Sequence, residues 1–119
     1  MKYMALIYSA PDSSPNFGTP EFGSLMSAYQ AVTERFAKDG VLVAGDALEA
    51  PSTATTVSVR NGRTETLDGP FAESKEQLGG FYIFDCANLD DAIRYAAMIP
   101  TATYGRVEVR PIRNLANML

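Results

Sequence analysis

Short apolar runs alternate with two longer stretches in which apolar residues recur every three or four positions, and this alternation orders the chain. Residues 2–8, apolar at every position after Lys2, predict a strand, closed by the Pro11-Asp12-Ser13-Ser14-Pro15-Asn16 loop. From Thr19 the period lengthens. Phe22, Leu25, Met26, Tyr29, Val32 and Phe36 fall on one stripe of a helix, with Thr19 as N-cap, Pro20 at the first position and Glu21 at the positive end. Gly40 stops that helix just after Lys38, since glycine takes the left-handed closing conformation without strain. Residues 41–48 predict a second strand, interrupted by Gly45 and Asp46 and followed by a Pro51-containing link. Residues 55–60 and 63–67 flank Asn61-Gly62, the dipeptide that suits a tight hairpin turn with two positive φ angles. Residues 80–86 form the next strand. Asn88 caps a second helix with Asp90 and Asp91 in its first turn and Leu89, Ile93, Ala96 and Ala97 on its buried side, and Pro100 ends it. Residues 106–112 are the last strand; the tail 113–119 has no assigned role.

This order, β-α-β-hairpin-β-α-β, is that of an α+β domain of ferredoxin-like βαββαβ type with an added β-hairpin, a single domain over residues 1–119. Two helices cover one sheet face. The strands are nevertheless apolar at both parities: Met4, Leu6 and Tyr8 against Tyr3, Ala5 and Ile7, and Phe81 and Ile83 against Tyr82 and Phe84. A second layer is required, and a homodimer with sheets packed face to face, a dimeric α/β barrel, is the simplest one.

Composition narrows the chemistry. Ten basic residues against 14 acidic ones give a net charge of −4, and the basic residues are scattered, which argues against nucleic-acid binding. No apolar run approaches the length of a membrane span and the start is too short for a secretory signal, so a soluble cytoplasmic protein without membrane contact is expected. The one cysteine, Cys86, leaves no intrachain disulfide, and the absence of histidine removes the commonest general base and metal ligand.

The segment from Asp68 to Gly80 concentrates turn residues and charge between two strands. Asp68-Gly69-Pro70 breaks regular structure, the Glu73-Ser74-Lys75-Glu76-Gln77 run favours about one helical turn, and Gly79-Gly80 releases the backbone. Such a loop on a rigid scaffold is where function is placed. If Asp46, Asp68 and Glu73 converge there, repulsion and burial raise one carboxyl pKa into the range of a general acid or base, and Lys75 can polarise a substrate oxygen. These four are the catalytic candidates. The bland reading keeps Asp68 in turn hydrogen bonds and Glu73, Lys75 and Glu76 in solvated ion pairs. Tyr8, Phe71, Tyr82 and Arg110 are candidate ligand contacts; one buried hydrogen-bond partner for each of the phenols Tyr8 and Tyr82, burial of Phe71 as a packing anchor and a solvated face for Arg106, Glu108 and Arg110 are the alternatives. No metal site is assigned and the cofactor is unknown.

The run from Asp68-Gly-Pro-Phe71 through Glu73-Ser-Lys75-Glu76-Gln-Leu-Gly79-Gly80-Phe-Tyr82, with the opening Met1-Lys-Tyr-Met-Ala-Leu-Ile-Tyr8, Gly45-Asp-Ala-Leu48 and the closing Val107-Glu-Val-Arg110-Pro-Ile112, resembles the DGPF-motif group of YCII-related proteins. The resemblance spans nearly the whole chain and implies a dimeric α/β barrel. Members of this group are mostly uncharacterised, some are similar to domains beside or fused to extracytoplasmic-function sigma factors, and the wider superfamily's inferred enzymatic role rests on a His-Asp pair. That role cannot pass to a chain without histidine, and Asp46 stands where related sequences more often carry glutamate. The expected function is binding or transformation of a small metabolite by carboxylate acid-base chemistry in a cleft at the loop. The alternative is a regulatory module contacting a sigma factor.

Overall fold

The computed structural model describes residues 1–118 of the chain; the final residue of the unassigned tail, Leu119, lies outside the described residues. Six strands and two helices follow one another as β1 (Lys2–Ser9), α1 (Pro20–Lys38), β2 (Leu42–Ala47), β3 (Thr55–Arg60), β4 (Arg63–Asp68), β5 (Gln77–Asp85), α2 (Leu89–Ala96) and β6 (Arg106–Pro111). β2, β5, β1 and β6 form one antiparallel sheet in that order, while β3 and β4 pair only with each other. This is the expected ferredoxin-like arrangement with an inserted hairpin.

The local signals act as their chemistry requires. The Thr19 hydroxyl accepts from the Phe22 N–H at 3.2 Å, and the Asn88 side chain accepts from the Asp91 N–H at 2.9 Å. Gly40 closes α1 with a φ of 73°, and Asn61 and Gly62 turn the hairpin at φ of 53° and 75°. Tyr3, Ala5 and Ile7 of β1 and Tyr82 and Phe84 of β5 face the helices and are buried with Val32, Phe36, Tyr95 and Ile99. Phe36 is the hub, with ring centroids 5.2 Å from Tyr82, 4.8 Å from Phe84 and 5.8 Å from Tyr95. Such packing outweighs any single local preference.

Three expectations need correction. α2 buries Ala92, Tyr95 and Ala96 and leaves Leu89 and Ile93 exposed, because bringing Tyr95 onto Phe36 rotates the helix away from the predicted stripe. It also ends before Pro100, which instead opens a 3-10 turn (Pro100–Thr103). The predicted helical turn at Glu73–Gln77 does not form. Gln77 and Leu78 pair with Ser9 and Tyr8 as the start of β5, and five residues of helix propensity cannot outweigh ladder bonds.

Among the described residues, no layer covers the other face of the sheet. Directly opposed residues share a face, so Met4, Leu6 and Tyr8 lie there with Arg110, Glu108 and Arg106 across from them, and with Phe81 and Ile83 opposite Asp46 and Ala44. The radius of gyration is 16.4 Å and the extents 48 × 46 × 19 Å, flatter than the roughly 13–14 Å radius of a compact chain of this length. The projecting hairpin adds to that flatness: Val57, Val59 and Leu67 are all more than half exposed.

Candidate functional site

A cleft of about 460 Å³ opens where the chain segments flanking the sheet's upper end meet. Leu48 to Ala54, following β2, form one wall; Pro70, Ala72 and Ser74 form the second; Tyr8, Gln77 and Leu78 supply the floor. The walls meet because β2 and β5 are neighbours: the Leu48 N–H continues the ladder to the Gly79 carbonyl at 2.9 Å. The loop root is pinned as well, with the Gly69 N–H donating to the Ala54 carbonyl at 2.7 Å and the Thr56 hydroxyl to the Gly69 carbonyl at 2.8 Å. Gly69 adopts a φ of 96°, which only glycine takes readily and which makes the corner between hairpin and loop.

Tyr8 occupies its place through two backbone irregularities. The register of β1 on β5 shifts between Ile7 and Tyr8, a bulge of the kind that re-aims a side chain beside a site. On the other side Gly105 approaches so closely that a Cβ there would overlap the Tyr8 carbonyl oxygen. The hydroxyls are telling. Five of the six tyrosines have a hydroxyl partner within the chain: Tyr3 with Met1 Sδ, Tyr29 and Tyr104 with Thr101, Tyr82 with Thr33, and Tyr95 with Asp39. Tyr8 is the sixth; it lines the cleft and has no such partner among the described residues.

The predicted site residues are dispersed. Asp46 lies on the open sheet face opposite Phe81, Asp68 ends β4 at the base of the hairpin, and Glu73 and Lys75 are exposed on the loop. None of the four lines the cleft. Among the described residues no group of three or more His, Cys, Asp or Glu is gathered to hold a metal ion. Tyr82 has the buried hydrogen-bond partner that was its alternative reading: it points to the helix side, is 6% exposed, and shares a 2.6 Å hydrogen bond with Thr33. Phe71 is 85% exposed and anchors nothing within the chain. Arg110 sits opposite Met4, four residues along β6 from the cleft end; the arginine that meets a loop carboxylate is Arg106, whose Nε donates to Glu76 Oε1 at 3.2 Å.

Glu49 was not among the sequence candidates. It follows β2 within the Pro51 link and is the lining's one carboxylate, with Thr53, Ser74 and Gln77 as neutral polar neighbours. The pairing of β2 with β5 is the signal that brings this link against the Asp68 loop. Elsewhere, burial pushes the Cys86 thiol up and holds it protonated, and burial likewise raises the Tyr29 phenol. A second groove, of about 880 Å³, runs between Lys2, Asp85 and the segment from Pro111 to Asn117; it includes none of the predicted site residues.

A family model described as the YCII-related domain matches residues 1–116. An uncharacterised protein of Rhizobium meliloti (strain 1021) is 36% identical over 114 residues, covering 94% of this chain and 92% of the relative. Among solved structures, the chain is similar to 5-chloro-2-hydroxyhydroquinone dehydrochlorinase (TftG) from Burkholderia phenoliruptrix AC1100, in complex with 2,5-dihydroxybenzoquinone. The TM-score is 0.54 at 14% identity, with 96% of this chain and 95% of that one covered, a likeness of fold.

Proposed function

The chain belongs to the YCII-related domain family, and from that premise we propose that it binds and transforms a small metabolite in the cleft beneath the Asp68–Gly80 loop. The observation that carries this reading is the cleft itself, of a size suited to a small ligand and lined by Tyr8, the one tyrosine whose hydroxyl has no partner among the described residues. Its titratable lining groups are Tyr8 and Glu49, so the acid-base role expected of Asp46, Asp68, Glu73 and Lys75 passes in this reading to those two. A structural neighbour that acts on a small ring compound supports the reading at the level of fold. In this reading the chain is a member of the family's DGPF-motif group, which the Asp68-Gly69-Pro70-Phe71 corner supports, and it acts in the cytoplasm.

The test is thermal unfolding of the wild type and of Leu48→Arg against a small-metabolite library. Leu48 is half exposed, so the arginine fills the cleft without disturbing the core. A ligand at one hundred times its dissociation constant raises wild-type stability by about 2.7 kcal/mol. Hits that vanish in Leu48→Arg support the cleft; hits that survive place binding elsewhere.

The same reading includes a homodimer through the open sheet face, where Met4, Leu6, Phe81 and Ile83 form an apolar centre flanked by Asp46 on one edge and Arg106 and Arg110 on the other. Sedimentation should give a dimer for the wild type and a monomer for Leu6→Arg; a monomeric wild type contradicts it. The exposed Phe71 favours a second reading, a regulatory contact with a protein such as a sigma factor, for which loss of co-purification in Phe71→Ser is the test.

A further inference from the structure

We propose that the cleft selects an uncharged, ring-sized organic molecule bearing a hydroxyl or carbonyl oxygen, and that it rejects anions; this rests on the small-molecule reading above. The walls are apolar on three sides, with Leu48 and Pro51 from the link, Pro70 from the loop and Leu78 from β5. A volume of about 460 Å³ holds a substituted ring with room to spare. Polar partners are few and neutral apart from Glu49, and Tyr8 offers one fixed oxygen that both donates and accepts.

Charge decides the class. Glu49 is the one acidic side chain of the lining, and the lining has no basic one. Arg106, opposite Tyr8, is paired with Glu76 at the surface, and neither it nor Lys75 belongs to the lining. A carboxylate or phosphate entering the cleft would meet a like charge and lose its hydration against apolar walls, with no guanidinium or ammonium to replace the lost water. A neutral ring meets no such penalty, and its oxygen finds Tyr8.

Three probes of one ring size separate these cases: 4-methylphenol, uncharged; 4-hydroxybenzoate, an anion; and tyramine, a cation. Each is titrated into ¹⁵N-labelled wild type, Glu49→Gln and Leu48→Arg, following the backbone amides of Tyr8, Leu48, Ala54 and Leu78. 4-Methylphenol should bind the wild type most tightly, 4-hydroxybenzoate on the order of tenfold more weakly, and Glu49→Gln should narrow that gap while Leu48→Arg abolishes the binding of 4-methylphenol. A preference for either charged probe overturns the proposed class and leaves the cleft as a ligand site. Absence of shifts at these amides with all three probes, or 4-methylphenol shifts unchanged in Leu48→Arg, overturns the site along with the class.

Discussion

Replacing Gly45 by alanine tests how tightly β2 is drawn against the aromatic core. A Cβ at Gly45 would lie 2.6 Å from Tyr82 Cδ1, 3.0 Å from its Cε1 and 3.2 Å from the Phe81 carbonyl oxygen. The ring cannot step aside, because Tyr82 stacks on Phe84 at 5.8 Å, meets Phe36 edge-on at 5.2 Å and is tied to Thr33 at 2.6 Å. Overpacking of this kind costs about 1–3 kcal/mol. Against it stands a gain of about 0.4–1 kcal/mol from the stiffer unfolded chain, so a net loss of about 1–2 kcal/mol is expected. An unfolding entropy of about 2.1 cal/mol/K per residue makes each kcal/mol worth about 4 °C in a chain of 119 residues, a fall in Tm of about 4–8 °C. Gly23→Ala is the control. Gly23 lies in α1 with nothing within 4 Å of its Cβ position, so alanine there should stabilise by about 0.5–1 kcal/mol through helix propensity. Calorimetric unfolding of both variants should move Tm in opposite directions. A Gly45→Ala variant as stable as the wild type would refute the close approach of β2 to Tyr82.

Two further outcomes follow from the side-chain network. A double-mutant cycle of Tyr82→Phe with Thr33→Val should show a coupling of about 1 kcal/mol in chemical denaturation, with cleft binding of 4-methylphenol unchanged; weakened binding would return Tyr82 to the site. Asp39 accepts from Arg35 Nε at 3.0 Å and from the Tyr95 hydroxyl at 3.0 Å, and the Arg35 bond first, then Tyr95, holds its carboxyl below the ordinary range. A folded-state pKa below the unfolded value of about 3.9 stabilises the fold above that value and loses the contribution as pH falls through the folded one. The Tm gap between wild type and Asp39→Asn should therefore be widest above about pH 5 and shrink as the pH falls below the unfolded value and through the folded one; a gap independent of pH would remove Asp39 from this role.

The fold was readable wherever a signal is local. Thr19, Asn88, Gly40 and Asn61-Gly62 act within a few residues of themselves, and each stands in the structure where its chemistry requires. Phase and placement were not local. The stripe on α2 depended on Tyr95 reaching Phe36, and the extent of β5 depended on a ladder with residues almost seventy positions earlier. The site followed the same division. Its address at the Asp68 loop was visible as a density of turn residues and charge, but which side chains share the cleft depends on strand order. Glu49 comes to the loop only because β2 neighbours β5, and Tyr82 is lost to it because strand parity turns that residue toward the helices. Spacing on β6 gave the parity shared by Arg106 and Arg110, but which of them stands beside Tyr8 depends on the antiparallel register with β1, which pairs Tyr8 with Arg106 and Met4 with Arg110.

The central claim, that the cleft under the Asp68 loop is where this chain holds a small molecule, is met most directly by soaking crystals with a library of neutral ring fragments. The account predicts electron density between Leu48, Pro70 and Leu78 with a fragment oxygen within hydrogen-bond distance of the Tyr8 hydroxyl, and loss of that density in Tyr8→Phe for fragments held by that bond alone. Fragments that gather elsewhere on the chain while the cleft stays empty would contradict it.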